Sequence, residues 1–224
     1  STAFTAAERA TVAAAVVAKC DALDGATDGL VQDVEACQKA FSFANDVPTC
    51  TGARDGSCLS AAQKDAIEPI FKGATTRNGT PFYAPFPYDA GVAASGVGQW
   101  EFMAPLERDS GAVGAIFKVP PSPQSLSNGP AFTLALDIDT ALAELRATNV
   151  LYKESAMDFM TPPNAQDMNA VRRRGGKILV YHGVSDAIFS VADTEAWYRG
   201  VDRSSGGRAA EFARLYPVPG MGHC

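Results

Sequence analysis

The sequence has no excess of positive charge. Its 25 Asp and Glu residues outnumber its 19 Lys and Arg residues, which gives a formal net charge of −6. A nucleic-acid-binding protein needs a basic surface, because much of its affinity comes from displacing the counterions of the phosphates. The charge balance therefore argues against a nucleic-acid partner.

Long apolar runs are missing as well. The longest candidate, residues 12–18, is far shorter than the roughly 20 residues that a membrane-spanning helix needs. No signal-peptide pattern opens the chain, so we expect any export signal to have been removed or to lie outside this sequence. Hydrophobic residues make up 46% of the chain and aromatic residues 9%, which is typical of a packed globular protein. We predict a soluble folded protein without a membrane partner.

The cysteines number only five, and none forms a C-x-x-C motif. Cys20 and Cys37 bracket one short segment, Cys50 and Cys58 bracket another, and Cys224 is left over at the end of the sequence. This pattern predicts two local disulfides in an exported protein, with a partner for Cys224 elsewhere. The alternative is five free thiols in a cytosolic protein. A zinc site is disfavoured because neither histidine lies near the paired cysteines.

Capping boxes predict two helices in the first third of the chain. Residues 5–8 (TAAE) and 60–63 (SAAQ) each place a hydroxyl three residues before a Glu or Gln, so that side chain and backbone can bond reciprocally. The helices are expected to run to about residues 19 and 72. Residues 73–130 are dense in Gly, Pro and aromatic residues, and their lack of periodicity predicts an irregular, ordered region.

The C-terminal third has the pattern of an α/β unit. An apolar, β-branched run predicts a strand at residues 177–181. A second strand is predicted at 212–217, with a helix between the two at about 192–200. Further helices are predicted at 139–148 and 165–174. The strand, helix, strand order predicts a parallel pair. An open α/β sheet normally has more than two strands, so either others lie in the irregular region or the chain is part of a larger fold.

Each predicted strand is followed by one residue suited to acid–base chemistry. Asp186 comes five residues after Tyr181, and His223 comes six after Pro217. Functional residues of open α/β sheets collect beyond the carboxyl ends of the strands, where an acid can fix the tautomer of a histidine and leave its other nitrogen as a base. The alternative is that Asp186 caps the next helix and His223 is merely exposed.

A nucleophile for this pair is missing from the sequence. Residues 183–187 (GVSDA) nearly match the G-x-S-x-G elbow, but Ser185 is the immediate neighbour of Asp186. Adjacent side chains after a strand diverge, so one histidine could hardly serve both. We therefore expect the nucleophile to lie on sequence outside this chain.

Residues 21–29, between Cys20 and Cys37, crowd three carboxylates around two glycines. A calcium ion would relieve the repulsion between these carboxylates. The candidate ligands are the side chains of Asp21, Asp24 and Asp28 and the backbone carbonyls of Ala26 and Leu30. The spacing is not that of an EF-hand, because the bidentate Glu at position 12 is missing. The alternative is an acidic turn with Asx-turns and no metal.

Three motifs resemble those of the tannase and feruloyl esterase family: C-D-x-L-D-G-x-x-D-G at residues 20–29, H-G-x-x-D at 182–186 and G-M-x-H-C at 220–224. The resemblance implies a partial α/β-hydrolase core with an inserted, irregular, disulfide-braced lid that binds structural Ca²⁺. Residues 1–18 would be a core helix leading into the lid. Residues 19–160 would form the lid, and residues 161–224 the last strands of the core.

The resemblance also implies roles for the site residues. Asp186 would be the acid of a catalytic triad, His223 its base, and the acidic loop the calcium site. The family's nucleophile lies in a G-C-S-x-G-G elbow, whose cysteine is disulfide-bonded to the one after the histidine, here Cys224. Nothing in the chain matches that elbow. The first half of the core and its final helix would then be absent, and the chain alone would be inactive.

The implied activity is that of a secreted or periplasmic serine esterase acting on small aromatic esters: galloyl esters, feruloyl esters or a terephthalate monoester. Phe189, by resemblance, and Trp100, in the aromatic part of the predicted lid, are candidates for binding the aromatic ring; the alternative for both is core packing. A rival function is a catalytically inactive, calcium-stabilised extracellular module that binds polyphenols or carbohydrates. The presence of both Asp186 and His223 favours the enzyme.

Overall fold

A computed structural model describes residues 3–224 of the chain, so the first two residues of the predicted segment 1–18 lie outside the described residues. The α-helices are, in chain order, α1 (Ala6–Cys20), α2 (Val34–Ala40), α3 (Phe43–Asp46), α4 (Ala61–Lys72), α5 (Ser95–Phe102), α6 (Ala104–Glu107), α7 (Asp109–Gly111), α8 (Gln124–Ser127), α9 (Gly129–Ala135), α10 (Ile138–Glu144), α11 (Ala156–Met160), α12 (Asn169–Arg173) and α13 (Val191–Ser204). The strands are β1 (Ala74–Thr75), β2 (Pro81–Tyr83), β3 (Ile178–Gly183) and β4 (Ala213–Val218). Shorter 3₁₀ turns cover Asp21–Asp24, Ala90–Ala93 and Ala209–Glu211, and a π-helical turn covers Ala112–Phe117.

Both predicted capping boxes are confirmed. At the start of α1 the Glu8 amide donates to Thr5 Oγ1 over 3.2 Å, and the Thr5 amide donates to the Glu8 carboxylate over 2.8 Å. The Ser60 side chain and Gln63 make the same reciprocal pair at the start of α4. Gly73 ends α4 with a φ of 85°, a conformation that favours glycine.

The parallel pair predicted in the C-terminal third is confirmed, since β3 and β4 run parallel from Ile178 opposite Ala213 to Gly183 opposite Val218. The helix between them, α13, is longer than predicted. The helix predicted at 165–174 begins only at Asn169, because the Asn169 amide donates to Asp167 Oδ1 over 3.0 Å. Such a local side-chain bond competes with the helical backbone pattern.

The region predicted to be irregular contains short helices instead. Six helical segments lie between residues 95 and 135, and none exceeds eight residues. Pro105 and Pro130 lie in the first turns of α6 and α9, where a missing amide proton costs nothing. Each helix is too short to establish the apolar period by which helices are recognised in a sequence.

The contacts divide the chain into two compact units. The first comprises Ala74 and the described residues before it, together with Pro81–Gly98 and Gln166–Cys224; the second comprises Thr75–Thr80 and Gln99–Ala165. The boundaries predicted at residues 18 and 160 mark where a lid is inserted in the chain, which is a different criterion from compactness. They stay a prediction. None of the helices within residues 3–224 is long and apolar enough to cross a bilayer.

Two apolar clusters form much of the core of the first unit. Aromatic side chains of α3, α4 and the preceding and following loops lie with ring centroids 4.7 to 5.7 Å apart: Phe41, Phe43, Phe71 and Tyr88. A second cluster lies around α13 and the start of β4: Val201, Ala209, Phe212 and Ala213. It anchors the end of the chain that carries β3 and β4.

A buried ion pair ties α1 to the disulfide-bonded loop at residues 50–58. Glu8 is 1% exposed, and its two carboxylate oxygens accept from Arg54 Nε over 2.7 Å and from Arg54 Nη2 over 2.8 Å. The Arg54 hydrogen bonds outweigh the opposing effect of burial and lower the pKa of Glu8 to about 2. A carboxylate with a lowered pKa stabilises the fold at neutral pH, and that contribution is lost as pH falls from about 4.5 to about 2.

We expect Glu8→Gln to lower the free energy of unfolding at pH 7 by about 2 kcal/mol, since a charged hydrogen-bonded pair is lost from a buried position. Denaturant unfolding at a series of pH values measures this, and the difference from wild type should shrink as pH falls below 4.5. Glu35→Gln is the control: Glu35 pairs with Lys39 on the surface of α2, so little change is expected. An equal loss at pH 7 and pH 3 would contradict this account of Glu8.

Candidate active site

The loops that follow β3 and β4 are joined side by side by backbone hydrogen bonds. The Val184 amide donates to the Val218 carbonyl over 2.9 Å, and the Ser185 amide donates to the Met221 carbonyl over 3.0 Å. Gly183 allows this approach, because a Cβ atom there would collide with the Met221 carbonyl. The parallel register is thus continued past the ends of the strands, and it brings the two loops to one place.

Asp186 and His223 meet where these loops adjoin. His223 Nδ1 lies 2.9 Å from Asp186 Oδ2. The Asp186 side chain is 6% exposed, whereas that of His223 is 42% exposed. Because Nδ1 faces a carboxylate, it carries the proton of the neutral ring, which leaves Nε2 able to accept one. The structure brings the two predicted side chains together, and their catalytic roles stay a prediction.

The second oxygen of Asp186 is held by its own loop. Asp186 Oδ1 accepts from the Ile188 amide over 2.8 Å and from the Phe189 amide over 3.0 Å. Burial of Asp186 is the largest single effect on its pKa and would raise it. The donors from Phe189, Ile188 and His223 together outweigh burial, and the pKa of Asp186 lies below its ordinary value. The carboxylate is therefore charged at neutral pH, as stabilisation of an imidazolium requires.

A segment of residues 83–91, here called the strap, holds the acid loop at both ends. At one end the Ser185 hydroxyl donates to Oδ1 of Asp89, which is 4% exposed. At the other, Ser190 donates from its hydroxyl to the Pro85 carbonyl over 2.6 Å and from its amide to the Tyr83 hydroxyl over 3.1 Å. The hydroxyl of Ser185 is thus engaged in a structural bond, which agrees with its rejection as the nucleophile.

The aromatic candidates lie in different units. Phe189 is 57% exposed, and its ring centroid is 5.7 Å from that of His223. It lines a cavity of about 220 Å³ together with residues that include His223, Asp186 and Met221. Trp100 belongs to the second unit, where the Arg108 guanidinium carbon lies 4.0 Å from its ring centroid. The cavity joins Phe189 to the acid–base pair, and the proposed role of Trp100 stays a prediction.

The acidic loop begins as a 3₁₀ turn directly after α1, and its carboxylates bind the loop's own backbone. Asp21, which is 8% exposed, accepts from the Asp28 and Gly29 amides over 3.1 and 3.0 Å. Asp24 accepts from the Ala26 amide over 2.9 Å. The structure contains no ion pair for the three carboxylates within residues 3–224, and no group of three or more His, Cys, Asp or Glu side chains in that range is arranged to hold a metal. The calcium site stays a prediction.

The predicted local disulfides are confirmed. Cys20 is bonded to Cys37 and Cys50 to Cys58, with Cα–Cα distances of 5.2 and 5.1 Å. Cys224 is a free, exposed thiol that follows His223 and lines the same cavity. The first bond closes the acidic loop, and the second closes the loop that carries Arg54.

Sequence reasoning assigned no role to several residues that organise this site. His182 belongs to the H-G-x-x-D motif. Its Nε2 lies 3.2 Å from Asp186 Oδ2, the same oxygen atom that His223 Nδ1 contacts. The strap residues Asp89 and Tyr83 bond the acid loop from about 100 residues away in the sequence. The spacing of His182, four residues before Asp186, could have indicated a contact with the acid. The contacts of the strap have no such pattern in a single sequence.

Comparison with known proteins shows which family the chain resembles. A family model described as tannase and feruloyl esterase matches residues 1–224. The mono(2-hydroxyethyl) terephthalate hydrolase of Piscinibacter sakaiensis is 36% identical over 234 residues, which cover 94% of this chain and 38% of that protein. A probable feruloyl esterase B-1 of Neosartorya fischeri is 28% identical over 212 residues, which cover 93% of this chain and 36% of that protein.

The fold agrees with the same comparison. The crystal structure of feruloyl esterase B from Aspergillus oryzae superposes with a TM-score of 0.68 at 22% identity, over 100% of this chain and 41% of that one. The chain therefore has an α/β-hydrolase-type fold and spans well under half the length of the relatives it matches.

We expect Ser185→Ala to lower the free energy of unfolding by about 1–3 kcal/mol, because the buried Asp89 carboxylate loses a hydroxyl donor. Denaturant unfolding of the chain measures the loss. Ser57→Ala is the matched control, since its hydroxyl bonds an exposed Asp55 and little change is expected. If the two substitutions had equal effects, the strap would not be held by Ser185.

Proposed function

This chain belongs to the tannase and feruloyl esterase family, and we propose that it supplies the acid and the base of a secreted serine esterase for aromatic-acid esters. The contact of His223 Nδ1 with Asp186 Oδ2 at 2.9 Å carries the proposal, because it aligns a charged carboxylate with an exposed imidazole. The serine would come from preceding residues of the same fold. On its own, the chain should be inactive.

The reaction divides between the two side chains. His223 Nε2 removes the proton of the serine hydroxyl while the serine oxygen attacks the ester carbonyl, and Asp186 stabilises the resulting imidazolium. The imidazolium then gives this proton to the departing alcohol as the ester bond breaks. The same nitrogen then deprotonates a water molecule that attacks the acyl-enzyme, and it gives this proton to the serine oxygen as the carboxylic acid leaves. Asp186 is charged at neutral pH and stays charged throughout this cycle.

Two neighbours of His223 support the proposal, Phe189 for the aromatic substrate and Cys224 for the link to the missing nucleophile. The exposed ring of Phe189 forms a wall of the cavity that contains the imidazole, where an aromatic acyl group can stack or lie edge-on. Cys224 is exposed next to His223, in a position to form a disulfide with a cysteine beside the serine. That bond would fix the base to the part of the fold that carries the nucleophile, and it suits an oxidising, extracellular or periplasmic compartment.

A structural calcium ion would rigidify the acidic loop. The donor set of Asp21, Asp24 and Asp28 with two carbonyls is all oxygen, as calcium prefers. Gly25 and Gly29 have φ values of 91° and 82°, which allow the chain to wrap closely. Asp21 is a buried carboxylate for which the structure gives no Lys or Arg partner within residues 3–224. These features favour a cation, whose charge would stabilise the loop once the three carboxylates gather around it; within residues 3–224 they are not yet arranged in that way.

The rival function, an inactive binding module, is less well supported. A module that only binds ligands gains nothing from an acid with a lowered pKa aligned on an exposed imidazole. The acidic loop and the aromatic side chains serve either function. The pair therefore favours the enzyme.

Activity should depend on the pair when the chain is present in the whole protein. We expect Asp186→Asn and His223→Ala each to reduce kcat about 10⁴-fold for the preferred ester. Hydrolysis of ethyl ferulate, methyl gallate and mono(2-hydroxyethyl) terephthalate measures this and identifies the preferred acyl group. Asp193→Asn, the same change at an exposed site on α13, is the control and should leave kcat near that of wild type. Full activity of His223→Ala would exclude His223 as the base.

Calcium should stabilise the chain measurably. At a free calcium concentration 100 times the Kd, a single site contributes about 2.7 kcal/mol, which corresponds to a melting temperature higher by about 5 °C or more for this chain length. Thermal unfolding with calcium and then with excess EDTA tests this. The double variant Asp24→Asn, Asp28→Asn should lose the response, whereas Asp65→Asn on the exposed face of α4 should keep it. An unchanged melting temperature after chelation would rule out the site.

A further inference from the structure

Asp186 is bonded by two imidazoles at one oxygen atom. Its Oδ2 lies 2.9 Å from His223 Nδ1 and 3.2 Å from His182 Nε2. The two rings differ in environment, because the side chain of His182 is 15% exposed and that of His223 is 42% exposed. The proposed reaction uses only His223, so His182 is a partly buried histidine without an assigned role.

The partners of His182 determine which of its nitrogens carries the proton. Nε2 faces two acceptors, the Asp186 carboxylate and the Phe189 carbonyl at 3.1 Å, so Nε2 must be a donor. Nδ1 lies 2.7 Å from Thr194 Oγ1, on the first turn of α13. The Thr194 hydroxyl can donate to Nδ1, which leaves a neutral ring with its proton on Nε2.

These contacts give the carboxylate four donors. Oδ1 accepts from two amides of its own loop, and Oδ2 accepts from both histidines. The amides alone fix one oxygen and leave the carboxylate free to tilt about that edge. The N–H of His182 fixes the second oxygen, and its bond to the Phe189 carbonyl ties the same ring to the segment that carries the aromatic wall.

We propose that His182 is a positioning residue for the acid of the catalytic pair, with its Nε2–H directed at Asp186 by the two acceptors there and its ring supported by Thr194 at Nδ1. The inference rests on the proposed function for its catalytic consequence, while its structural part concerns this chain alone. His182 touches neither the nucleophile nor the departing alcohol in this scheme. It acts by holding Asp186 Oδ2 where His223 Nδ1 can donate to it.

The tautomers can be observed directly, since His182 and His223 are the only histidines of the chain. Long-range ¹H–¹⁵N spectra of the chain at neutral pH should show two rings, His182 as the Nε2–H tautomer and His223 as the Nδ1–H tautomer. Thr194→Val, which removes the hydroxyl at nearly constant shape, should leave His182 as the Nε2–H tautomer, because two acceptors still face Nε2, and Thr194→Ser should do the same. An Nδ1–H tautomer for His182 in the wild type would overturn the inference.

Two substitutions of His182 separate positioning from packing. Gln can place its amide nitrogen near the former Nε2 and donate to Asp186, whereas the shorter Asn reaches only as far as the former Nδ1. In the Asn variant we expect His223 to become a mixture of tautomers, and in the Gln variant to stay Nδ1–H. Circular dichroism verifies that both variants are folded. A His223 tautomer unchanged in a folded Asn variant would refute the role of His182.

The same variants in the whole protein give the catalytic readout. His182→Asn should lower kcat by about ten- to a hundredfold with little change in KM, because a displaced catalytic group slows the chemical step, and His182→Gln should recover most of the loss. Equal activities of the Asn variant and the wild type would refute the positioning role even where His223→Ala is inactive. An active His223→Ala variant would instead refute the proposed function and leave the tautomer of His182 as measured.

Discussion

Parallel pairing of β3 with β4 is the constraint on which the site depends. Parallel strands end at the same edge of a sheet, so the loops that follow them start side by side although 35 positions separate Gly183 from Val218. Two backbone hydrogen bonds then extend the pairing beyond the strands, and Gly183 provides the space for them. This register fixes the position of one loop relative to the other, and it thereby brings Asp186 and His223 within hydrogen-bond distance.

The acid is stabilised by the fold, and the base is left open to solvent. Burial would disfavour the charged form of Asp186, but amide and imidazole donors outweigh burial and keep its pKa low. The strap holds the same loop through Ser185 and Ser190. The strap is in turn anchored by Tyr88, whose ring packs in the aromatic core. His223 has the opposite surroundings, since its side chain is 42% exposed and borders a cavity together with Phe189. A rigid carboxylate beside an accessible imidazole is the arrangement that acyl transfer by a serine requires.

Much of the fold was predictable from local patterns. Capping boxes predicted the starts of α1 and α4, and cysteine spacing predicted both disulfides. Two predicted strands around a helix indicated the parallel pair together with the approach of Asp186 to His223. The short helices between residues 95 and 135 were missed because none is long enough to establish an apolar period. The strap was missed for another reason: Asp89 meets Ser185 across 96 residues, and such a contact has no signature in one sequence. His182 was visible in a motif, but only the distances show that it bonds the acid.

A crystal structure of the whole protein, with the residues that precede this chain in the family fold, tests the central claim most directly. The account predicts that His223 Nδ1 stays bonded to Asp186 and that its Nε2 lies about 2.6–3.2 Å from the hydroxyl of a serine contributed by those residues. A well-ordered structure in which Nε2 faces no serine, or in which His223 has turned away from Asp186, would contradict it.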